Sequence, residues 1–161
     1  MQATDSSPIS PLERLVARAE QLMQRIEAVL PQPLQAPADW GAAIAWRYRK
    51  RANGCGVLEP VRHVGAMQLS DLQNIDAQKE KIARNTEQFV QGRTANNVLL
   101  TGARGTGKSS LIRACLHAYA DQGLRLIEVD KADLTDLPDI VEVVAARPEY
   151  SIIYCDDLSF E

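Results

Sequence analysis

The stretch "GARGTGKS", residues 102–109, restricts the fold of this chain more than any other part of its sequence. It fits the pattern G-x-x-x-x-G-K-[ST], and it lies between the mainly apolar segment "NVLL" at 97–100 and a segment with helical spacing. Gly102, Gly105 and Gly107 allow backbone angles that other residues disfavour, so that successive N–H groups can face one concavity. With a helix N-terminus behind it, such a turn attracts phosphate. The sequence therefore predicts a strand at 97–100, a phosphate-binding turn and a helix, in that order.

Lys108 and Ser109 supply the two side chains that such a turn uses. A lysine ammonium at this position pairs with the β- and γ-phosphates of a nucleotide, and the next hydroxyl is a ligand for Mg²⁺. Arg104 either contacts phosphate or faces solvent. The alternative is a glycine-rich turn that carries a surface lysine and no ligand. The residues predicted to bind the nucleotide are Gly102, Ala103, Arg104, Gly105, Thr106, Gly107, Lys108, Ser109 and Ser110.

Two adjacent carboxylates follow the apolar segment "SIIYC", residues 151–155. In enzymes with this kind of turn, an aspartate at the end of another parallel strand holds Mg²⁺ through its water shell. This pattern assigns the metal to Asp156 together with Ser109. Asp157 is then the carboxylate that orients or deprotonates the attacking water, so Asp157 and Lys108 are the predicted catalytic residues. Taken without the glycine-rich turn, two aspartates after a strand would indicate only a polar turn.

Helices and strands alternate from residue 76 onward, which predicts an α/β fold with a parallel sheet and helices on its faces. The first of these helices is expected to end at Gly92, and the helix that follows the glycine-rich turn is expected to end at Gly123. The remaining predicted elements are a strand at 124–130, a helix at 138–147 and a strand at 151–157.

The first 40 residues predict a separate segment. Apolar residues recur at spacings of three and four between Leu12 and Leu30, which indicates an amphipathic helix with Ser10 as its N-cap and Pro31 as its end. A proline-rich linker, "PQPLQAP", follows. The helix either docks on the rest of the protein or self-associates as a short coiled coil.

Residues 41–68 contain cations and aromatic residues in alternation. Such a stretch either contacts nucleic acid, by stacking bases and neutralising phosphates, or forms the solvated flank of an amphipathic helix with buried aromatic residues. The cations are Arg47, Arg49, Lys50 and Arg51, and the aromatic residues are Trp46 and Tyr48.

The composition excludes several classes of protein. The chain has 161 residues, 45% of them apolar and 24% charged, which is ordinary for a globular protein. A net charge of −3 argues against a generic binder of nucleic acid or membrane. Cys55, Cys115 and Cys155 form no paired motif, and the sequence shows neither a signal peptide nor a run long enough to span a bilayer. We therefore expect a cytoplasmic protein.

The two motifs together resemble those of the AAA+ ATPases, which are P-loop NTPases. The similarity covers residues 41–161 and is closest to an uncharacterised bacterial AAA+ family that pairs "NNVLLTGARGTGKSSL" with a terminal "DDLSFE". The resemblance implies ATP and Mg²⁺ as cofactors, with Walker A at 102–109 and Walker B at 151–157. It also implies an adenine pocket that includes Leu72 and Ile75. Most AAA+ proteins have Asp-Glu where this chain has Asp156-Asp157, but bacterial replication initiators also use Asp-Asp.

The resemblance also predicts what the 161 residues contain. It divides them into an N-terminal helix and linker at 1–40, a pre-core segment at 41–68, and the N-terminal part of an AAA+ nucleotide-binding domain at 69–161. In the three-layer αβα AAA+ fold, a fourth strand, which follows Walker B in sequence, lies between the two motif-bearing strands. We therefore expect this chain to be the N-terminal part of a longer ATPase, with a gap in its sheet.

The expected function is binding of ATP and Mg²⁺ and, in the complete protein, ATP hydrolysis that changes the conformation of a partner. By resemblance, the complete protein self-associates as a ring or another oligomer. The short link "KADLTD" leaves little room for the pore loop of an unfoldase, which favours loader-, initiator- or switch-like ATPases. The alternatives are a nucleotide-binding module without turnover and a P-loop kinase or transferase. The sequence does not name the partner, which is either protein or DNA.

Overall fold

The computed structural model describes residues 10–30 and 33–157, and the chain divides into two compact units, Met1–Gln32 and Pro33–Glu161. In the first unit, helix α1 spans Pro11–Glu27. The hydroxyl of Ser10 accepts a hydrogen bond from the backbone N–H of Glu13, and the carboxylate of Glu13 accepts one from the N–H of Ser10. This capping box confirms the predicted helix start. The predicted end at Pro31 lies outside the described residues.

The described part of the second unit is an α/β structure built on a four-stranded mixed sheet. The strands are β1 (Ala45–Lys50), β2 (Gly56–Pro60), β3 (Leu124–Glu128) and β4 (Tyr150–Tyr154), in the order β2-β1-β3-β4. The α-helices are α2 (Asp76–Val90), α3 (Lys108–Tyr119) and α4 (Leu137–Ala145). Strands β1, β3 and β4 are parallel, whereas β2 pairs with β1 in the antiparallel direction. The predicted α/β class is confirmed, but the sheet is mixed and not parallel throughout.

Strand β3 is buried on both faces, because helices cover both sides of the sheet. Leu124 and Leu126 face the side on which Leu116 of α3 packs. Ile127 faces the opposite side, where it packs in one cluster with Ile140 of α4. All five side chains are almost completely inaccessible to solvent. The bounds of α3, β3, α4 and β4 also agree with the predicted elements to within a few residues, so these predictions are confirmed.

A pair of stacked tryptophans lies in the core on the α4 side. The rings of Trp40 and Trp46 are 5.3 Å apart between centroids and tilted by 17°. The guanidinium of Arg147 lies over the Trp40 ring, 5.6 Å from its centroid. Both tryptophans are 2% exposed, so this stack fixes the segment before β1 against the sheet.

The basic segment forms a β-hairpin, and its assignment to the flank of an amphipathic helix is wrong. Strand β1 buries Trp46 and Tyr48 on one face and places the half-buried Arg47 on the other, which is the alternation of a strand. The turn to β2 contains Gly54 at φ +83°, a conformation that glycine adopts without strain. The alternation and the Asn53–Gly54 pair were the sequence signals for this hairpin.

The predicted strand at 97–100 is also wrong. These residues have no regular secondary structure, and Val98 and Leu99 are 47% and 68% exposed. A strand requires a neighbour to bond its N–H and C=O groups, and no described residue pairs with this segment. The apolar run of three residues, Val98 to Leu100, is therefore insufficient to make a strand here.

The hairpin is tied to the acidic segment after β3, and this link predicts a pH-dependent stability. The buried Tyr48 donates a hydrogen bond of 2.9 Å to Asp136, and Lys50 forms an ion pair with the same carboxylate. The hydrogen bonds from Lys50 and then from Tyr48 lower the pKa of Asp136 below its ordinary value. Because the pKa is lowered in the folded state, this stabilisation is complete above the unfolded-state pKa of about 4 and is lost as pH falls through the folded-state pKa.

We therefore expect Tyr48→Phe to lower the free energy of unfolding by about 1.5 kcal/mol at neutral pH, and by less below about pH 4. Urea titrations at a series of pH values would measure this change. In an Asp136→Asn background, the effect of Tyr48→Phe should not vary with pH over this range. An effect that varies equally in both backgrounds would show that another group is responsible.

Candidate functional site

The glycine-rich loop 102–109 leads directly into α3, as predicted. Gly102, Gly105 and Gly107 have φ angles of +140°, +82° and +88°, in a region that glycine adopts more readily than any other residue. Gly107 is the N-cap of α3, and its carbonyl accepts the first helical hydrogen bond, from the N–H of Leu111. The loop therefore places its exposed backbone at the positive end of a twelve-residue helix.

The side chain of Lys108 folds back onto this loop. Its ammonium donates hydrogen bonds of 2.8 Å to the carbonyls of Gly102 and Ala103. The hydroxyl of Thr106 donates to the Ala103 carbonyl as well, at 2.9 Å. These bonds hold a positive charge against the loop backbone. Ala103, Arg104 and Thr106 are exposed at the surface of the loop.

The two sequence motifs meet at Ser109 and Asp156. The hydroxyl of Ser109, in the first turn of α3, donates a hydrogen bond of 2.9 Å to Oδ2 of Asp156, just after β4. The hydroxyl of Tyr154 donates to Ser109 Oγ, also at 2.9 Å. The structure therefore brings together the two residues that the sequence assigned to Mg²⁺, although they lie 47 positions apart.

Tyr154 is the residue of this group that sequence reasoning missed. It is the last residue of β4 and is two positions before Asp156, so both lie on the same side of the extended chain. This spacing of two was the signal that could have found it. Burial raises the pKa of its phenol, so Tyr154 remains a hydrogen-bond donor at neutral pH.

The electrostatics of the group keep Asp156 ionised. Partial desolvation acts to raise the pKa of Asp156, but hydrogen bonds from Ser109, Tyr154 and the Asp157 N–H outweigh it, and the charge of Lys108 adds to their effect. The net pKa therefore lies below the ordinary value. An ionised carboxylate beside a hydroxyl suits Mg²⁺, which usually takes few protein ligands and fills its shell with phosphate and water.

Asp157 differs from its neighbour in conformation and contacts. Its φ angle is +51°, in the left-handed region, and its backbone N–H donates a hydrogen bond of 3.0 Å to Oδ1 of Asp156. Its side chain is exposed. Asp157 therefore supports Asp156 through its backbone and leaves its own carboxylate open to solvent.

Leu72 and Ile75, the predicted adenine-pocket residues, pack close to α3. Leu72 is 9% exposed and belongs to a core cluster with Leu111 and Cys115 of α3, and Ile75 packs against the same cluster. The carbonyl of Leu72 also accepts a hydrogen bond from the ammonium of Lys79. Both residues are thus anchored to the helix that begins at the glycine-rich loop.

The basic cluster on β1 is matched by acidic residues of the same unit. Arg47 forms an ion pair with Glu128, and its Nε also donates a hydrogen bond of 2.9 Å to that carboxylate. Two further cations pair in the same way: Arg49 with Asp130 and Lys50 with Asp136. Three of the four cations are therefore already paired, which leaves little free positive charge for a nucleic-acid backbone.

No helix among the described residues is both long and apolar enough to cross a membrane.

Comparisons with known proteins place the chain in a family. No solved structure matches the chain. Residues 41–161 match the family model described as "Protein of unknown function (DUF815)". Because this match covers well over half of the chain, including the loop, β4 and both aspartates, the protein belongs to the DUF815 family.

Proposed function

We propose that this protein binds ATP and Mg²⁺ at the loop 102–109 and, as part of a complete AAA+ ATPase, hydrolyses ATP to change the conformation of a partner. The observation that carries the proposal is the hydrogen bond of 2.9 Å between Ser109 and Asp156. Either motif alone has a simple structural explanation. Their meeting at one point, with a hydroxyl and an ionised carboxylate side by side, is what a nucleotide–metal site requires.

Each residue of the site has a separate role in the proposed binding and hydrolysis of ATP. The backbone N–H groups of the loop and the start of α3 bind phosphate, and Lys108 neutralises the charge of the terminal phosphates. Ser109 and Asp156 would hold Mg²⁺, which neutralises charge on the β- and γ-phosphates when bound. The exposed carboxylate of Asp157 orients the water that attacks the terminal phosphate. Leu72 and Ile75 contribute apolar surface on the side of the adenine base.

The pair Asp156-Asp157 and the helical block before the loop, which contains α2, favour an AAA+ protein over a P-loop kinase. The link between β3 and α4 is a short 3₁₀ segment, Lys131–Asp136, which supports a loader-, initiator- or switch-like ATPase over an unfoldase.

We propose a partner that binds through protein contacts and not through DNA on the β1 surface, because Arg47, Arg49 and Lys50 there are paired with acidic residues of the same unit. Self-association into a ring belongs to the same proposal, since AAA+ sites are completed by a neighbouring subunit.

Binding of a fluorescent ATP analogue, with and without Mg²⁺, tests the proposal when it is combined with a phosphate-release assay. We expect saturable binding that ATP displaces and that Mg²⁺ strengthens. Absence of binding would overturn the proposal. Binding without phosphate release would identify a nucleotide-binding module, and transfer of phosphate to a small acceptor, or a preference for GTP, would indicate a kinase or another P-loop transferase.

A further inference from the structure

Helix α1 carries an apolar face that remains exposed. None of its residues is buried, and Leu12, Leu15, Leu22 and Ile26 are each more than half exposed. In proteins most helical stability comes from packing of the amphipathic face, and a continuous apolar stripe is normally buried against another element. The face therefore requires a partner.

The apolar residues follow a seven-residue repeat. Leu12, Ala19 and Ile26 are seven apart, and so are the pairs Leu15–Leu22 and Val16–Met23. They correspond to positions a, d and e of a heptad, a band wide enough for packing between helices. The face therefore has the geometry of a helix-to-helix contact.

Charges border this face on both sides, with opposite sign. Arg18 and Arg25 lie along one border, at position g, and Glu13, Glu20 and Glu27 lie along the other, at position b. A rotation of about 100° per residue puts positions g and b on opposite sides of the apolar band. Each border thus has a single sign of charge.

This distribution of charge favours another copy of the helix as the partner and a parallel orientation of the two helices. Two copies of the helix packed in parallel place the arginine border of one against the glutamate border of the other. Two antiparallel copies would place arginine against arginine and glutamate against glutamate. A lipid surface is disfavoured, because the three arginines and three glutamates of residues 11–27 leave no net positive charge to attract anionic headgroups.

We propose that α1 is a self-association element, which packs its apolar face against the same face of another copy of this chain, in parallel. Its two charged borders then form ion pairs between copies. This inference does not depend on nucleotide binding, since it uses only residues of the first unit.

The mass of the full chain in solution tests the packing, measured by light scattering over a range of protein concentrations. We expect the wild type to associate and the double variant Leu15→Glu/Leu22→Glu to remain a monomer at the same concentrations. The matched control is Ala17→Glu/Gln24→Glu, which adds the same charge on the opposite side of the helix and should associate like the wild type. A monomeric wild type, or association that survives Leu15→Glu/Leu22→Glu, would overturn the proposal.

Charge reversal tests the orientation. We expect Arg18→Glu/Arg25→Glu to weaken association about tenfold at low salt, because glutamates then face glutamates on both borders of a parallel pair. Adding Glu20→Arg and Glu27→Arg to the same chain should restore association. Unchanged association of Arg18→Glu/Arg25→Glu would overturn the parallel arrangement, since an antiparallel pair has like charges opposed before and after the change. Circular dichroism of each variant would confirm that helix content is retained.

Discussion

We expect the substitution Lys108→Ala to lower the affinity of this protein for ATP by about a hundredfold. The ammonium is held against the loop backbone by the carbonyls of Gly102 and Ala103, so the positive charge is already in place for an incoming phosphate. Each hydrogen bond to a charged group contributes roughly 1.5–3 kcal/mol, and about 1.4 kcal/mol corresponds to a tenfold change in affinity. Titration with a fluorescent ATP analogue, followed by displacement with ATP, measures the loss.

Lys81→Ala provides the matched control for this experiment. Lys81 is an exposed lysine of α2, and its substitution removes the same charge at a distance in sequence from the loop. It should leave the affinity for ATP within about twofold of the wild type, as is usual for an exposed charge outside a site. If Lys108→Ala binds ATP as tightly as the wild type, the loop 102–109 is not the phosphate-binding site.

The second large effect is expected for Asp156→Asn, which should remove most of the gain in ATP affinity that Mg²⁺ produces, about tenfold or more. The amide keeps the size of the side chain and can still accept the hydrogen bond from Ser109, but it lacks the charge that a cation requires. Titrations with and without a chelator separate the affinity for ATP alone from the gain in affinity that Mg²⁺ produces. Affinity without Mg²⁺ should fall little or should rise, since the carboxylate also repels phosphate.

Asp157→Asn distinguishes the two adjacent aspartates. This substitution keeps the backbone N–H that bonds Asp156, so Mg²⁺-dependent binding should persist, whereas phosphate release by an active assembly should fall. If Asp157→Asn removes the Mg²⁺ effect and Asp156→Asn does not, the two roles are reversed. If neither does, the metal is not held at this edge of the sheet.

Turn chemistry explains why so much of the region around the site could be predicted from the sequence. Glycine at 92, 102, 105, 107 and 123 was expected to adopt unusual backbone angles, and all five have positive φ. These positions fix where helices begin and end, and so they also fix the limits of the strands between them. The meeting of Ser109 with Asp156 followed from the pattern of phosphate-loop enzymes, in which the hydroxyl after the loop lysine and an aspartate at the end of another strand share one metal site.

Pairing between distant segments explains what could not be predicted. Residues 97–100 have the composition of a strand, but no described strand bonds their backbone. The cations of β1 looked free in the sequence, yet the register of β1 and β3 aligns Arg47 with Glu128. Neither fact is encoded within a window of neighbouring residues. The hairpin β1–β2 is different. The alternation of aromatic and basic residues in β1 and the Asn53–Gly54 turn are local signals of a hairpin, and the interpretation of this segment as a helix did not use them.

The stacked pair Trp40 and Trp46 has a practical consequence for every measurement of stability. They are the two tryptophans of the chain, and both lie in the core of the second unit. Tryptophan-selective fluorescence therefore reports the unfolding of that core and is silent about α1. Circular dichroism responds to both units. The difference between the two melting curves isolates the helix, so its association can be followed optically without any label.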